Sequence, residues 1–415
     1  MESCIFHIDV NSAYLSWSAL EKLKKGDTLD LRTGPSIIGG DEKSRHGVVL
    51  AKSIPAKKYG IRTGEPVAAA LRKCPDLILE PPDHKVYKQY SRALMDYLHT
   101  LTSDIEQVSI DECYLNFAPI AGRFSSPLEA AADIRKYIRT RFGFTVNIGI
   151  SSKKILAKMA SDMEKPDRTH TLFPNEIPKK MWPLPVDDLF MVGHASASRL
   201  HTMGIHTIGE LAHTDKTLLA AVFKSHGLQM WEYANGIDLT GVDPDHHKAK
   251  GIGNSTTLSK DASTKEEIHS VLFSLAETVS ARLRKAGQLA GTVTVEIKYS
   301  NFQSVSRQTR LLTPSASSRE LYQTAVVLAD RLWNEDPVRL LGIRTSKLCD
   351  QDAPIQLSIF NMEHPGTTSD SVNAPSSRKL KKLDEALDSI RKRYGPDSVK
   401  RASCMHDAED KNKNQ

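Results

Sequence analysis

Hydrophobic and polar positions recur along this chain regularly enough to lay out most of its elements. Ile5-Phe6-His7-Ile8-Asp9-Val10 is an apolar run broken only by His7 and Asp9, and reads as a buried strand. Val86, Tyr90, Leu94, Tyr97, Leu98 and Leu101 recur at helical spacing over residues 84–101. Two short strands follow, Ile105 to Ser109 and Cys113 to Phe117. A helix over Leu128 to Phe142 then places Ala131, Ile134, Ile138 and Phe142 on one face. Phe144, Val146, Ile148 and Ile150 alternate strictly, the period of a strand. Strand, helix, two strands, helix, strand is the split βαβ, ferredoxin-like order. Residues 13–82 become an insertion after the first strand. A helix over 151–165 buries Ile155, Met159 and Met163, leaves Lys154, Lys158 and Lys165 largely on other, ordinarily solvated faces, and ends at Pro166.

Residues 184–240 read as short helices. Val192-Gly193-His194 leads into a helix from Ala197 to Met203, and Gly204-Ile205 into another from Ile208. That is a helix-hairpin-helix, which presents backbone N–H groups to phosphates without reading base sequence. After a polar linker at 241–250 a second βαββαβ order appears, also expected to be ferredoxin-like. Its helices are Lys265–Arg284 and Arg319–Trp333, and its later strands Thr292–Tyr299, Val305–Leu312 and Leu340–Leu348. Residues 350–376 are rich in Pro, Ser and Thr and are expected to be flexible. A last basic amphipathic helix, about 377–394, lines up Leu380, Leu383, Leu387, Ile390 and Tyr394.

Length and charge narrow the class. A chain of 415 residues exceeds one ordinary core, so two to four domains are expected. The excess of 56 Lys+Arg over 50 Asp+Glu is mild but suits a polyanionic partner if the basic residues cluster. Five scattered cysteines make no CxxC pair, which indicates neither a disulfide framework nor a zinc site and fits a reducing cytosol. No stretch approaches the ~20 apolar residues of a membrane span, and no signal peptide is expected.

The chemistry concentrates in three acids: Asp9 near the end of the first strand, and Asp111-Glu112 where the short strands meet. Acids near strand ends are ordinarily solvated turn residues. On one ferredoxin-like sheet, however, these three converge at one rim, where they repel one another unless a cation shares the site. Oxygen-only ligands suit Mg²⁺, and the reaction this suggests is two-metal phosphoryl or nucleotidyl transfer.

Ile8-Asp9-Val10-Asn11, Ser109-Ile110-Asp111-Glu112, Ala157-Lys158-Met159-Ala160-Ser161-Asp162 and Lys165-Pro166 fall in the order seen in Y-family translesion DNA polymerases of the DNA polymerase IV type, which the chain resembles over about residues 3–350. The resemblance implies an α+β, right-hand polymerase. Its parts are a ferredoxin-like palm (1–12 and 83–172), small inserted fingers (13–82), a helix-hairpin-helix thumb (173–240) and a βαββαβ little finger (251–350). It implies error-prone, template-directed DNA synthesis across damage, on primer-template DNA with deoxynucleoside triphosphates and two Mg²⁺ ions. Asp9 and Asp111 match the acids that bridge both metals, Glu112 the ligand of the metal that activates the primer hydroxyl, and the Val10 carbonyl a further ligand. Tyr14 matches the steric gate that collides with a ribose 2′-hydroxyl, and Lys165 a triphosphate contact.

Two segments depart from the family's pattern. In Lys52-Ser53-Ile54-Pro55-Ala56-Lys57, relatives usually carry Tyr at position 54 and Arg at 57. Ile54 cannot hydrogen-bond a phosphate and Lys57, though it keeps the positive charge, cannot grip one bidentately, so triphosphate binding here is expected to be either weaker or shared with Lys52 or Ser53. In the thumb, Met191 stands where a hairpin glycine is expected, leaving Gly193 and Gly204. Arg339 and Arg344 sit where little fingers contact the DNA backbone, and Arg307 and Arg310 on an adjacent strand are candidates to join them. Gln356-Leu357-Ser358-Ile359-Phe360 resembles the pentapeptide with which bacterial replication proteins dock on the sliding clamp, a polar anchor and apolar plugs on a tether. Gly39-Gly40-Asp41-Glu42 imitates a diguanylate cyclase signature, but more simply makes a hairpin loop before a strand at Val48 to Ala51. A monomeric, cytoplasmic, nucleoid-associated bacterial enzyme is the expectation. A non-catalytic, clamp-bound scaffold is the alternative, against which the retention of all three acids argues.

Overall fold

The computed structural model describes residues 4–40, 47–245, 249–351, 375–395 and 398–399. It divides into two compact units, Met1–His246 and His247–Gln415. None of the described helices is long and apolar enough to cross a membrane.

The first unit begins with β1 (Ile5–Val10) and α1 (Ala13–Lys24). An inserted three-stranded sheet follows, made of β2 (Ser36–Gly39), β3 (Val49–Lys52) and β4 (Ile78–Glu80), with α2 (Ile54–Lys58) and α3 (Val67–Lys73) between the last two. β2 pairs antiparallel with β3, as a hairpin at Gly39-Gly40 requires, and parallel with β4. The chain then returns through α4 (His84–His99), β5 (Ile105–Gln107), β6 (Glu112–Asn116), α5 (Pro127–Tyr137), β7 (Val146–Ser151), α6 (Lys154–Asp162) and β8 (Thr169–Thr171). The main sheet runs β5-β6-β1-β7-β8, so its first four strands have the ferredoxin-like order and β1 lies at the centre.

Alternation along β1 divides two faces. Phe6, Ile8 and Val10 enter a core with Tyr87, Leu94 and Leu98 of α4 and Ile134 of α5. His7 and Asp9 point to the other face, where α6 lies. Gly149 of β7 lets α6 come that close: a Cβ there would stand 2.0 Å from the Ala157 carbonyl oxygen and 2.5 Å from the Ser161 nitrogen. Five short helices complete the unit: α7 (Ile177–Lys180), α8 (His194–Thr202), α9 (Ile208–His213), α10 (Lys216–Phe223) and α11 (Ser225–Ala234). Their core takes in Ile155, Leu156 and Met159 of α6.

The second unit is β9 (Gly251–Ala262), α12 (Lys265–Lys285), β10 (Gln288–Tyr299), β11 (Ser304–Ser315), α13 (Ser318–Leu332) and β12 (Val338–Asp350). The βαββαβ order is as expected, but the sheet is not ordered like the first. It runs β11-β10-β12-β9, with its first strand at the edge and all neighbours antiparallel. Both helices share one core with the sheet. The last helix, Pro375–Tyr394, attaches to α12 by ion pairs: Arg284 grips Asp388 through two nitrogens (2.7 and 3.0 Å), and Arg391 reaches Glu277 (3.0 Å). Along this helix Leu383, Ile390 and Tyr394 are exposed, while Asp384 is buried.

Candidate active site

The end of β1 brings the three acids together through backbone pairing. Asp9 lies opposite Glu112 of β6 and opposite Asn147 of β7. The Val10 N–H donates to the Asp111 carbonyl (3.0 Å). Val108 and Ser109 both donate backbone N–H groups to the Glu112 carbonyl, which tightens the connection, and the Ser109 hydroxyl donates to Asp111 Oδ1 (2.6 Å). Asn11 secures the strand exit: its amide donates to Asn147 Oδ1, and its oxygen accepts from the Asp167 N–H and the Thr145 hydroxyl.

Two lysines that spacing assigned to a solvated face are drawn into this site. Lys158 Nζ lies 2.8 Å from Glu112 Oε2 and 3.9 Å from Asp9 Oδ2. Lys165 Nζ lies 2.5 Å from Asp9 Oδ2, and Asp162 faces both lysines at 3.4 and 2.9 Å. Burial pulls both ammonium groups down, but the carboxylates outweigh it and hold both above the ordinary lysine value. His7 is buried, with Nδ1 2.8 Å from the Ser161 hydroxyl and Nε2 3.4 Å from Glu112 Oε2. That imidazole, then Lys158, holds the Glu112 carboxyl at about 2 against the cost of burial. Asp111 goes the other way: burial raises its carboxyl, and the charges of Asp9 and Glu112 add to the rise.

Among the described residues no three carboxylate or imidazole side chains close around one point, and Lys158 reaches both Asp9 and Glu112. The donor set nevertheless suits a hard divalent cation. It is all oxygen, and four carboxylates face only two ammonium groups.

Tyr14, in the first turn of α1, stacks on Tyr87 (4.3 Å between centroids, 9° between planes) and meets His84 edge-on. Burial and then the charge of Asp111 raise its hydroxyl pKa. In the inserted sheet, Ser53 is buried and its hydroxyl is fully committed. It donates to the Gly34 carbonyl (2.8 Å) and accepts from the Ser36 and Ala56 N–H groups. The phosphate contact expected at Ser53 is corrected accordingly: this serine caps α2. Lys52 is half-buried, and burial, then the charges of Lys57, Arg62 and Lys73, hold it below the ordinary lysine value. Those four residues form a basic cluster, with Ile54 half exposed beside it.

Comparison with known proteins decides the family. A family model described as impB/mucB/samB family matches residues 8–162, and the model of its C-terminal domain matches 249–359. The chain is 45% identical to DNA polymerase IV of Clostridium acetobutylicum, over 99% of this chain and all of that protein. The chain belongs to the Y-family DNA polymerases, of the DNA polymerase IV type. It is 35% identical to DNA polymerase IV 1 of Bacillus subtilis, over 99% of this chain and 95% of the relative. A solved Y-family DNA polymerase chimera shares the fold, with a TM-score of 0.72 and 21% identity over 84% of this chain and all of that one.

As a polymerase of this type, the chain is a DNA-directed DNA polymerase acting in translesion synthesis, and the scaffold alternative is not favoured. Gly193 is the cap residue of α8, and Met191 two residues earlier takes φ +74°, so a side-chain-bearing residue adopts the left-handed conformation expected of glycine. In the second sheet, register separates the arginines. Arg344, Thr294 and Gln308 share one cross-strand row, and Ser346, Thr292 and Arg310 share the next row on the same face. Arg307 lies in the row of Val295 and Ile343, both buried under the helices, so it faces away from Arg310 and Arg344. The expectation that all would act together is corrected for Arg307. Arg339 packs over the exposed Phe302 ring (4.8 Å). Gln356–Phe360 lies outside the described residues.

Sequence reasoning did not single out His7, Lys158 and Asp162. A signal existed for two of them: His7 shares its strand face with Asp9, and Lys158 follows Lys154 at i,i+4 on a helix with apolar neighbours.

Proposed function

We propose that nucleotidyl transfer takes place where β1 meets β6, with Asp9, Asp111, Glu112 and the carbonyl of Val10 holding two Mg²⁺ ions. The observation that carries this reading is the pairing of Asp9 directly opposite Glu112, with the Asp111 carbonyl bonded to the Val10 N–H. Bound Mg²⁺ supplies a lowered pKa at the primer 3′-hydroxyl and neutralises the triphosphate. The primer oxygen forms a bond to the α-phosphorus, the α–β bridge breaks, and pyrophosphate leaves. Lys165, on a flexible stem at the rim, offers a point charge to the triphosphate. Lys52 and Lys57 add charge from the fingers, in place of the bidentate arginine and tyrosine hydroxyl that this chain lacks. Tyr14, braced by Tyr87 and His84, sets its ring against the sugar and discriminates against a 2′-hydroxyl.

The palm then spans 1–12 and 83–172, the fingers 13–82, the thumb 173–240 and the little finger 251–350. Gly193 presents backbone to DNA phosphates from the thumb. Arg344 and Arg310, on a sheet face of small polar residues, hold the DNA backbone without reading sequence, and Arg339 supports them from the strand end. Gln356–Phe360 docks a sliding clamp on a monomeric cytoplasmic enzyme. Primer extension with Mg²⁺ is the test: wild-type extension lost in Asp111→Ala supports the site, and extension retained in that variant refutes it.

A further inference from the structure

The segment joining α11 to the second unit does more than connect. Helix α6, which carries Lys158 and Asp162, has Lys153 at its N-cap and no side-chain cap from it, so its first-turn N–H groups need partners from elsewhere. The partner comes from 83 residues downstream. Asp238, 8% exposed, accepts the Ile155 N–H on Oδ2 at 3.0 Å. Its Oδ1 is fixed by the Thr240 N–H (2.9 Å) and hydroxyl (2.6 Å). A carboxylate aimed at a helix N-terminus meets both an orphan donor and the favourable end of the helix dipole.

Neighbouring residues are pinned to the same helix or the sheet under it. Gly236 lies so close that a Cβ would stand 2.4 Å from Ile177 Cδ1 and 3.3 Å from Leu156 Cδ1. Val242 packs on Ile5, Tyr114 and Ala157. The Asp243 N–H donates to Glu106 Oε2 (2.8 Å), the carboxylate that also takes Lys154 at 2.6 Å. Lys154, Lys158 and Asp162 follow one another at i,i+4, so the strap holds the first turn of a short helix whose second turn brings Lys158 to Glu112 and Asp9 and whose last turn pairs Asp162 with Lys158 and Lys165.

We propose that Asp238, with Glu106, is a positioning residue for nucleotidyl transfer: the strap 236–243 fixes α6 along its axis and thereby sets where Lys158 meets Glu112 and Asp9, and where Asp162 holds Lys158 and Lys165. This rests on the reading of those acids as the reactive site. A sub-ångström shift of a positioned group is enough to slow a displacement reaction substantially while binding survives.

The test is single-turnover insertion of one correct deoxynucleotide on primer-template, with the full chain and Mg²⁺. Asp238→Ala is expected to lower the maximal insertion rate roughly tenfold, with the apparent affinities for nucleotide and DNA changed less than about twofold. Asp238→Asn, which keeps an acceptor for the Ile155 N–H, is expected to recover most of that rate, and Glu106→Gln to fall between. Should Asp238→Ala not fold, Thr240→Val, which frees the carboxylate from its orienting hydroxyl, is judged by the same rate criterion. A lowered melting temperature with a wild-type maximal rate makes the strap merely structural and overturns the proposal. Asp111→Ala runs alongside: if it still extends primers, the reading of the acids has failed; if it is inactive while every strap variant inserts at the wild-type rate, the strap proposal alone has failed.

Discussion

The two large sheets are built from the same sequence of elements and used in opposite ways. In the first, β1 is central, between β6 and β7; in the second, the corresponding strand β9 is at the edge. A central first strand gives its terminal acid two neighbours, Glu112 on one side and Asn147 on the other, and α6 closes over the same face. Chemistry is therefore concentrated at one end of a sheet covered on both faces. The second sheet carries its helices on one face and sets Thr294, Gln308, Arg344 and Arg310 in rows on the other. Elements in the same order thus yield a site in one case and a surface in the other, according to which strand is inside.

The sharpest way to break this contrast is at the site. Asp111→Ala is expected to reduce primer extension by on the order of a thousandfold or more while leaving DNA binding near wild type, as measured by extension and equilibrium titration. Tyr14→Ala is expected to admit ribonucleotides by roughly a hundredfold over wild type, read from competing insertion kinetics; unchanged sugar selection removes the gate from the site. Burial sets the next effect. Gly149→Ala, in the covered sheet, forces a Cβ into the Ala157 carbonyl and is expected to cost about 2 to 3 kcal/mol by denaturant unfolding. Gly342→Ala, on the face away from the helices, meets Ser255 Cβ at 3.1 Å and is expected to cost less than about 1 kcal/mol. Equal costs would mean that the two faces do not differ as described. The smallest effect concerns the surface. Arg344→Ala with Arg310→Ala is expected to reduce the salt dependence of DNA binding by about two phosphate contacts, whereas Arg307→Ala leaves it unchanged.

Element order was legible from periodicity because apolar positions report which side of each element is covered. Strand order in the second sheet was not, since βαββαβ does not say which strand lies inside. Asp9, Asp111 and Glu112 stood out because acids interrupt apolar strands only at a cost. Lys158 did not, because whether a lysine on a helix is solvated depends on the sheet beneath it. Ser53 was misplaced for a related reason: a serine one residue before Ile54-Pro55 is as good a helix cap as a phosphate ligand, and only its burial tells them apart. The error at Arg307 was avoidable, since an odd spacing from Arg310 along a strand already puts the two on opposite faces. The ion pairs of the last helix to Arg284 and Glu277 were not legible, because they depend on which element lies beside it.

That last attachment is electrostatic in character. Arg284 and Glu277 of α12 fasten the helix through Asp388 and Arg391. Ion pairs near a surface weaken as salt rises, whereas the backbone ladder and buried core of the sheet beneath α12 do not depend on it in that way. Ionic strength therefore sets how firmly the last helix is held, while the rest of the unit stays indifferent to it.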